Sequence, residues 1–332
     1  MQRLRAELVA LAETGKGVIL TEDLRRHGFD AAERASAVRL LHPLRRGAYT
    51  VVEPENAESR HKLVLRTVLR QRGDRAVASH ASAALLYGLP VPEASLDTVH
   101  IAVQDTAARL GVRNGVHTHA SADVRKAISI ASIPTTDAAT TVLDCARSLP
   151  VVDAVAMLDA ALNRRLVGLV DIRRRCDLAG GVPGIATARR VVGLADAGAE
   201  SVGETRTRLI LVVAGFDVLS QVALHDASGR FVGRVDLKLR DAPVVVEFDG
   251  RTKYTLQGTP ASQHWREKLR ADRIGNLGYQ LVRVWWNRLA DPAAIVADVE
   301  RARDRALGGV TQTPRLGDRS DETTIARPSA SR

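Results

Sequence analysis

The spacing of apolar residues predicts three helices followed by a β-hairpin in residues 1–55. Leucines at helical spacing mark the first helix within residues 4–11. Thr21 and Asp30 are suitable N-caps for the second and third helices. Residues 44–52 then show the alternation and the glycine turn of a hairpin.

Farther along the chain, helical and strand periodicities alternate. Up to residue 198 the pattern predicts, in order, a helix at 61–72, strands at 98–103 and 115–119, and helices at 138–147 and 151–164. It then predicts a helix at 201–214, strands at 218–225, 230–239 and 243–249, a helix at 261–276, a strand at 279–286 and a helix at 292–306. We therefore expect an α/β, multidomain protein with domains at 1–55, 60–198 and 200–307 and a polar, disordered tail at 308–332.

The composition narrows the class of partner. The 332 residues carry a formal net charge of +10, which favours an anionic partner and nucleic acid first of all. Arginine enrichment that merely follows a GC-rich genome is the alternative.

Two cysteines without paired spacing indicate free thiols in a reducing compartment. Because no apolar run approaches the roughly 18–20 residues of a membrane span and the start lacks a signal sequence, we expect a cytoplasmic protein without a membrane partner.

Two adjacent predicted strands each present acidic side chains on one face. Side chains two residues apart on a strand point the same way, so Asp236 lies beside Lys238, and Glu247 lies beside Asp249. The second strand is otherwise apolar, and a carboxylate buried in it requires compensation, commonly from a bound cation. The pattern predicts a metal site for phosphodiester hydrolysis; the alternative is that these are ordinary exposed strand residues.

The predicted order of helix, three strands, helix and strand is that of the PD-(D/E)XK nuclease core, the restriction-endonuclease-like α-β-β-β-α-β fold. The chain resembles endonuclease domains related to very-short-patch-repair enzymes in four segments, Glu200–Leu209, Arg234–Leu237, Val244–Gly250 and Leu277–Val284. The resemblance implies a DNA endonuclease that uses Mg²⁺, or Mn²⁺ in its place, at an acidic cluster of Glu204, Asp236, Glu247 and Asp249. Asp236 and Glu247 would be the principal ligands, and Glu204 would orient a water or complete the metal shell.

One position departs from the nuclease pattern. The lysine that would stabilise the attacking hydroxide is replaced by Asp249, which is either a further ligand or a turn residue. Lys238 and Lys253 are candidate replacements. Glu204 also completes a capping box with Ser201, which would make it structural. A nuclease fold that binds DNA without cutting it is therefore an open alternative.

Basic residues follow the acidic strand at helical spacing. Arg266, Arg270 and Arg273 fall on one face of the predicted helix. Such a stripe can neutralise DNA phosphates. A solvated helix face partly paired with neighbouring acidic residues is the alternative.

The element order of residues 1–55 is that of a winged helix-turn-helix, in which a recognition helix contacts bases and the wing holds phosphates. The candidate DNA contacts are Arg34 and Arg39 on the third helix and Arg45 and Arg46 at the start of the wing. A structural or protein-binding role for this module is the alternative.

Residues 1–55, together with Ser79–Pro90 and Ile133–Asp144, resemble AbiEi-type antitoxins of type IV toxin–antitoxin systems. The resemblance covers about residues 1–195 and implies a DNA-binding module that represses its own operon. It also makes a cognate toxin a candidate partner. His80, His117 and His119 suggest metal ligands, but His117 and His119 have no nearby cysteine or acidic residue at metal spacing, so we expect none there.

The sequence thus favours a DNA-binding protein whose C-terminal domain hydrolyses DNA phosphodiesters with a metal-activated water. The alternative is an AbiEi-like antitoxin and transcriptional repressor with an inactive nuclease fold. Either protein is compatible with an oligomer.

Overall fold

The computed structural model describes residues 2–104, 109–121, 124, 126–250 and 269–308, and the chain forms two compact units, residues 1–193 and 194–332. Both units contain helices and sheets, so the mixed α/β class that the sequence predicts is confirmed. The predicted domains at 1–55 and 60–198 both fall mainly within the first unit. Within the described residues, no helix is both long and apolar enough to cross a membrane.

The first fifty residues form three helices and a small antiparallel sheet. The elements are α1 (Gln2–Thr14), β1 (Ile19–Leu20), α2 (Thr21–Arg26), α3 (Ala31–Val38), β2 (His42–Arg45) and β3 (Ala48–Thr50). The strands lie in the order β1-β3-β2. Asp30 caps α3 as predicted: its carboxylate accepts a hydrogen bond from the backbone of Glu33, and the Glu33 side chain accepts one from the Asp30 backbone. Leu8, Ile19 and Leu24 are buried at the centre of this part of the molecule.

The rest of the first unit surrounds a six-stranded sheet in the order β6-β7-β5-β4-β9-β8. Its strands are β4 (Ala76–Ala78), β5 (Val99–Val103), β6 (Gly111–Arg113), β7 (Val116–Ala120), β8 (Ile128–Ile130) and β9 (Ile133–Thr135). Its helices are α4 (Ala57–Arg72), α5 (His80–Leu86), α6 (Ala138–Ser148), α7 (Val151–Asn163), α8 (Leu169–Leu178) and α9 (Ile185–Leu194). Strands β5 and β7 run parallel, as do β4 and β9.

Helix α4 links the two parts of the first unit through arginines on its surface. Arg66 donates a hydrogen bond to the backbone carbonyl of Lys16. Arg70 donates one to the carbonyl of Val18 and forms an ion pair with Asp23 at 2.9 Å. These contacts saturate carbonyls in the segment between α1 and α2 and fix that segment against α4.

The second unit is built on a four-stranded sheet in the order β10-β11-β12-β13. Its elements are α10 (Val202–Val213), β10 (Val218–His225), β11 (Phe231–Leu239), β12 (Val244–Asp249), α11 (269–276), β13 (Gln280–Trp285) and α12 (Pro292–Gly308). The first three strands are antiparallel, and β13 lies parallel to β12. One sheet face packs through Val246 and Phe248 in a core that includes residues of α10 and α12, and the other packs through Val245 near Ile274 of α11.

The contact between α10 and β12 provides a test of this packing. A Cβ atom added at Gly203 would lie 2.0 Å from Cε1 of Phe248, whose side chain is buried. We expect Gly203→Ala to lower the free energy of unfolding by about 1–3 kcal/mol because the core must shift to accommodate the methyl group. Gly275→Ala is the matched control in the exposed part of α11, where open space surrounds the glycine. Urea unfolding of both variants measures the difference, and equal stabilities would contradict the close α10–β12 contact.

Candidate functional sites

The acidic residues of the second unit lie where β11 and β12 separate. The register pairs Leu237 with Val246 and Lys238 with Val245. One step farther, the Asp236 carboxylate accepts a hydrogen bond of 2.8 Å from the backbone N–H of Phe248. Where the backbone hydrogen bonds between β11 and β12 end, a side-chain oxygen thus accepts the hydrogen bond in place of a backbone carbonyl. This hydrogen bond holds the Asp236 carboxylate against β12.

Glu247 is a buried carboxylate in the middle of the sheet, as the apolar pattern of β12 predicts. Its side chain is compensated by Arg270 of α11, whose guanidinium lies 2.6 Å from Oε1 of Glu247. The same guanidinium donates a hydrogen bond of 2.6 Å to the backbone carbonyl of Arg234 in β11. Arg270, predicted as part of a DNA-facing stripe, therefore contacts the acidic face of the sheet.

The sequence leaves two roles open for Glu204, in the cap of α10 and in the metal site, and the position of its carboxylate is compatible with both. Its carboxylate accepts hydrogen bonds from the backbone of Glu200, the hydroxyl of Ser201 and the side-chain amide of Gln221, and Ser201 caps α10. The predicted N-cap at Ser201 is confirmed, because its hydroxyl accepts a hydrogen bond from the backbone N–H of Glu204. The Glu204 carboxylate, however, accepts the backbone N–H of Glu200 in place of the Ser201 N–H that a capping box would supply. Burial raises the pKa of Glu204, and the negative charge of Asp236 raises it further.

The remaining residues predicted for this site are less closely held. Asp249 ends β12 and is half-buried, with Trp285 as its partner in the β12–β13 register. The ammonium group of Lys238 lies 5.5 Å from the ring centroid of Tyr279. Arg273 is exposed on α11. Lys253 and Arg266 lie outside the described residues, so their predicted roles stay predictions.

The acidic residues approach one another without forming a tight three-carboxylate cage. Among the described residues, the group of three metal-ligating side chains whose ligand atoms lie within 4.8 Å of one another consists of histidines in the first unit. The metal site at Glu204, Asp236, Glu247 and Asp249 therefore stays a prediction. Within this set, Asp236 and Glu247 are the residues on which the prediction rests.

The predicted DNA contacts of the first unit differ in accessibility. Arg34 donates a hydrogen bond of 2.5 Å to the backbone carbonyl of Phe29 and so supports the turn before its own helix. Arg45 is half-buried, and burial lowers its pKa. Arg39, at the end of α3, and Arg46, at the tip of the β2–β3 hairpin, are exposed and suitably placed to reach a ligand.

A second candidate site lies in the first unit, where four histidines stack. His80 begins α5, His100 lies on β5, and His117 and His119 lie on β7. The His80 and His119 ring centroids are 3.7 Å apart, and those of His117 and His119 are 3.9 Å apart. Nδ1 of His100 is 3.0 Å from Nε2 of His119.

The environment of this histidine cluster favours neutral imidazoles. Burial, with a smaller effect of the neighbouring rings, lowers the pKa of His80 to about 2, of His119 to about 3 and of His100 to about 4. A cavity of about 560 Å³ opens beside the cluster, and its walls include Asp144 and Arg147. Neutral imidazole nitrogens next to a cavity are suited to hold a transition metal.

Sequence spacing did not reveal this cluster because its members come from three separate elements. The register of parallel strands β5 and β7 pairs His100 with His117 and Ala102 with His119, which places the three rings near one another. His80 reaches them from the start of α5. The expectation that His117 and His119 lack metal partners rests on neighbours in the sequence; it names His80 without placing it beside His119, and it does not include His100.

Comparison with known proteins identifies relatives but no described function. The chain is 29% identical over 236 residues to an uncharacterised protein of Mycobacterium tuberculosis strain CDC 1551 and to another of strain H37Rv. Each match covers 70% of this chain and 83% of the relative. No family model matches the sequence.

The Glu247–Arg270 pair generates a stability prediction. Arg270→Gln leaves a buried carboxylate with weaker compensation, so we expect the free energy of unfolding to fall by about 1–2 kcal/mol in Mg²⁺-free buffer. Arg273→Gln, one turn away on the exposed face of α11, is the matched control. In a Glu247→Gln background the effect of Arg270→Gln should largely disappear. An equal loss in both backgrounds, measured by urea unfolding, would show that the pair does not couple.

Proposed function

We propose that this protein binds DNA through its N-terminal unit and hydrolyses DNA phosphodiesters with Mg²⁺ held by Asp236 and Glu247. The observation that carries the proposal is the position of these two acidic residues, on adjacent strands at the point where β11 and β12 separate. The order of elements in the second unit, a helix, three antiparallel strands and then a helix and a parallel strand, supports a restriction-endonuclease-like core.

The donor set fits Mg²⁺. This ion prefers oxygen ligands and retains several waters, so one or two carboxylates are sufficient to bind it. Asp236 and Glu247 supply carboxylate oxygens from neighbouring strands, and the hydrogen bond from Phe248 fixes one oxygen of Asp236. Mn²⁺ has similar ligand preferences and is expected to substitute. When bound, the metal would lower the pKa of a water and stabilise negative charge on the phosphate.

The surrounding residues have separate parts in this proposal. Hydrogen bonds from Glu200 and Gln221 hold the Glu204 carboxylate in place near Asp236. From that fixed position it would orient a water. Arg270 carries the positive charge closest to Glu247 among the ion pairs of the described residues. We infer that Arg270 supplies part of the cationic assistance that Asp249 cannot give, beside the earlier candidates Lys238 and Lys253.

The first unit supports DNA binding through the order of its first elements. Helices α1 to α3 are followed by the hairpin β2–β3 in a sheet of order β1-β3-β2, and this order supports the proposal of a winged helix. In that arrangement Arg39, the C-cap residue of α3, would lie near bases, and Arg46 at the hairpin tip would hold a phosphate. The net charge of +10 favours the same kind of ligand.

Plasmid cleavage tests the hydrolytic proposal. We expect the protein to nick supercoiled DNA in Mg²⁺ or Mn²⁺, and Asp236→Asn and Glu247→Gln to abolish nicking because each removes a ligand charge at nearly constant shape. DNA retention in a gel-shift assay should be unchanged in both variants. Glu300→Gln, an exposed substitution on α12, is the matched control. Equal cleavage by wild type and the Asp236 variant would refute the assignment.

The second candidate function is an antitoxin-like repressor with an inactive nuclease core. It is favoured by Asp249 at the position where the nuclease pattern has lysine and by the ion pair that already occupies Glu247. In this case the protein would bind DNA near its own gene, and a cognate toxin would be a further partner.

A footprinting experiment on the DNA upstream of the gene tests the repressor. Arg39→Ala and Arg46→Ala should each weaken protection by roughly 10- to 100-fold because they remove base or phosphate contacts. Arg174→Ala, on the exposed face of α8, is the control from the same unit. A footprint without cleavage at any Mg²⁺ concentration would favour the repressor over the nuclease, and a footprint unaffected by both arginine variants would contradict the proposed DNA-binding face.

A further inference from the structure

Three histidines of the first unit bring their ring nitrogens together from separate elements. His80 stands at the start of α5, His100 on β5 and His119 on β7. One ligand nitrogen from each lies within 4.8 Å of the other two. We propose that these three histidines form a binding site for a divalent transition metal, with Zn²⁺ as the ion that suits it best.

The distances in this group are close to those that a zinc ion requires. Zn–N bonds of about 2.0–2.1 Å at tetrahedral angles place two ligand nitrogens roughly 3.3 Å apart. Nδ1 of His100 and Nε2 of His119 are 3.0 Å apart. One of these two nitrogens carries the proton of the hydrogen bond between them. In the other tautomer of that ring the proton lies on the ring's second nitrogen, and the first nitrogen is free to bind a metal. The ion would then replace the hydrogen bond, and the backbone need not move.

The third histidine, His80, has polar partners at its Nδ1 atom. Nδ1 of His80 lies 3.2 Å from the hydroxyl of Ser79 and 3.7 Å from a carboxylate oxygen of Asp144. Carboxylates and hydroxyls behind a metal-ligating histidine fix its tautomer and orient its other nitrogen toward the metal. Asp144 is itself held by an ion pair with Arg147 at 3.1 Å. This arrangement leaves Nε2 of His80 for the ion.

His80 also has a backbone conformation that packing alone does not favour. Its φ angle is +49°, in the left-handed region, although it is not a glycine. Such strain at a side chain that points into a polar cluster is typical of functional sites. The conformation belongs to the first residue of α5, where the His80 ring stacks on His119.

The cavity beside the cluster indicates what the fourth ligand would be. Three-histidine zinc sites keep a fourth position for water or a bound anion. His80 and His119 line the cavity of about 560 Å³ together with Arg147 and Arg175. Each arginine is paired with a carboxylate, Arg147 with Asp144 and Arg175 with Asp171, so their positive charge is largely offset and the fourth position suits a water or hydroxide. The site is independent of the nuclease proposal, since its residues all belong to the first unit.

Metal titration of the full chain tests this site. The chain carrying Asp236→Asn and Glu247→Gln is used so that the carboxylates do not contribute, and it is treated with a chelator beforehand. We expect one equivalent of Co²⁺ to bind with the intense visible absorption of a four-coordinate ion, and Zn²⁺ to displace it. Substitution of a residue that only supports a metal ligand typically weakens metal binding by roughly 10- to 100-fold. His119→Gln removes a ligand itself, so we expect it to weaken binding by more than that.

His117→Gln is the matched control, because His117 lies on the same strand and stacks on His119 but is outside the ligand group. It should retain one equivalent of metal. Circular dichroism reports whether each variant is folded; should His119→Gln not fold, Asp144→Asn replaces it, with an expected loss of roughly 10- to 100-fold. Absence of stoichiometric binding, or equal affinity in folded His119→Gln, or equal loss in His117→Gln, would overturn the proposal.

Discussion

A carboxylate buried in a sheet must have a compensating partner, and the second unit is organised around one such residue. Glu247 is only 8% exposed within a strand whose preceding residues are all buried. Arg270 provides the counter-charge and also binds the β11 backbone, so one side chain connects α11 to two strands. Removing the Arg270 charge would leave the Glu247 carboxylate poorly compensated next to an apolar core, whereas the Arg270 side chain, 41% exposed, stays in contact with water when Glu247 is removed. The pair therefore helps to fix α11 against the sheet, together with Ile274, which is buried in a cluster with Val245.

The first unit meets the same constraint in a different way. Beside the buried carboxylate of Asp159, several of its buried polar groups are imidazoles and hydroxyls that satisfy one another. The Ser82 hydroxyl, for example, contacts Nε2 of His61 and accepts a hydrogen bond from the backbone N–H of His100. Because burial lowers the pKa of these histidines, they are accommodated by losing charge rather than by pairing with an acid. A core built in this way has neutral nitrogen donors inside it.

The sequence predicted the elements whose signals are local. The caps at Asp30 and Ser201 are observed, and β10 and β12 lie within about a residue of their predicted bounds. Short strands such as β4 and β9, three residues each, carry too little periodicity to be recognised. The grouping of His80 with His100 and His119 and the contact of Arg270 with Glu247 are not predicted by the sequence, for a common reason. Both depend on which elements the fold brings together, and local periodicity does not contain that information.

The two candidate sites offer chemically opposite donors. Carboxylate oxygens at Asp236 and Glu247 favour Mg²⁺, which keeps most of its waters and gains little from imidazole. Nitrogen donors at His80, His100 and His119 favour Zn²⁺, which binds such ligands far more strongly than Mg²⁺ does. Each ion is therefore selected by ligand type, even where both ions are present. It follows that a Mg²⁺ requirement for DNA cleavage would say nothing about the histidines, and metal retained through purification would point to them rather than to the carboxylates.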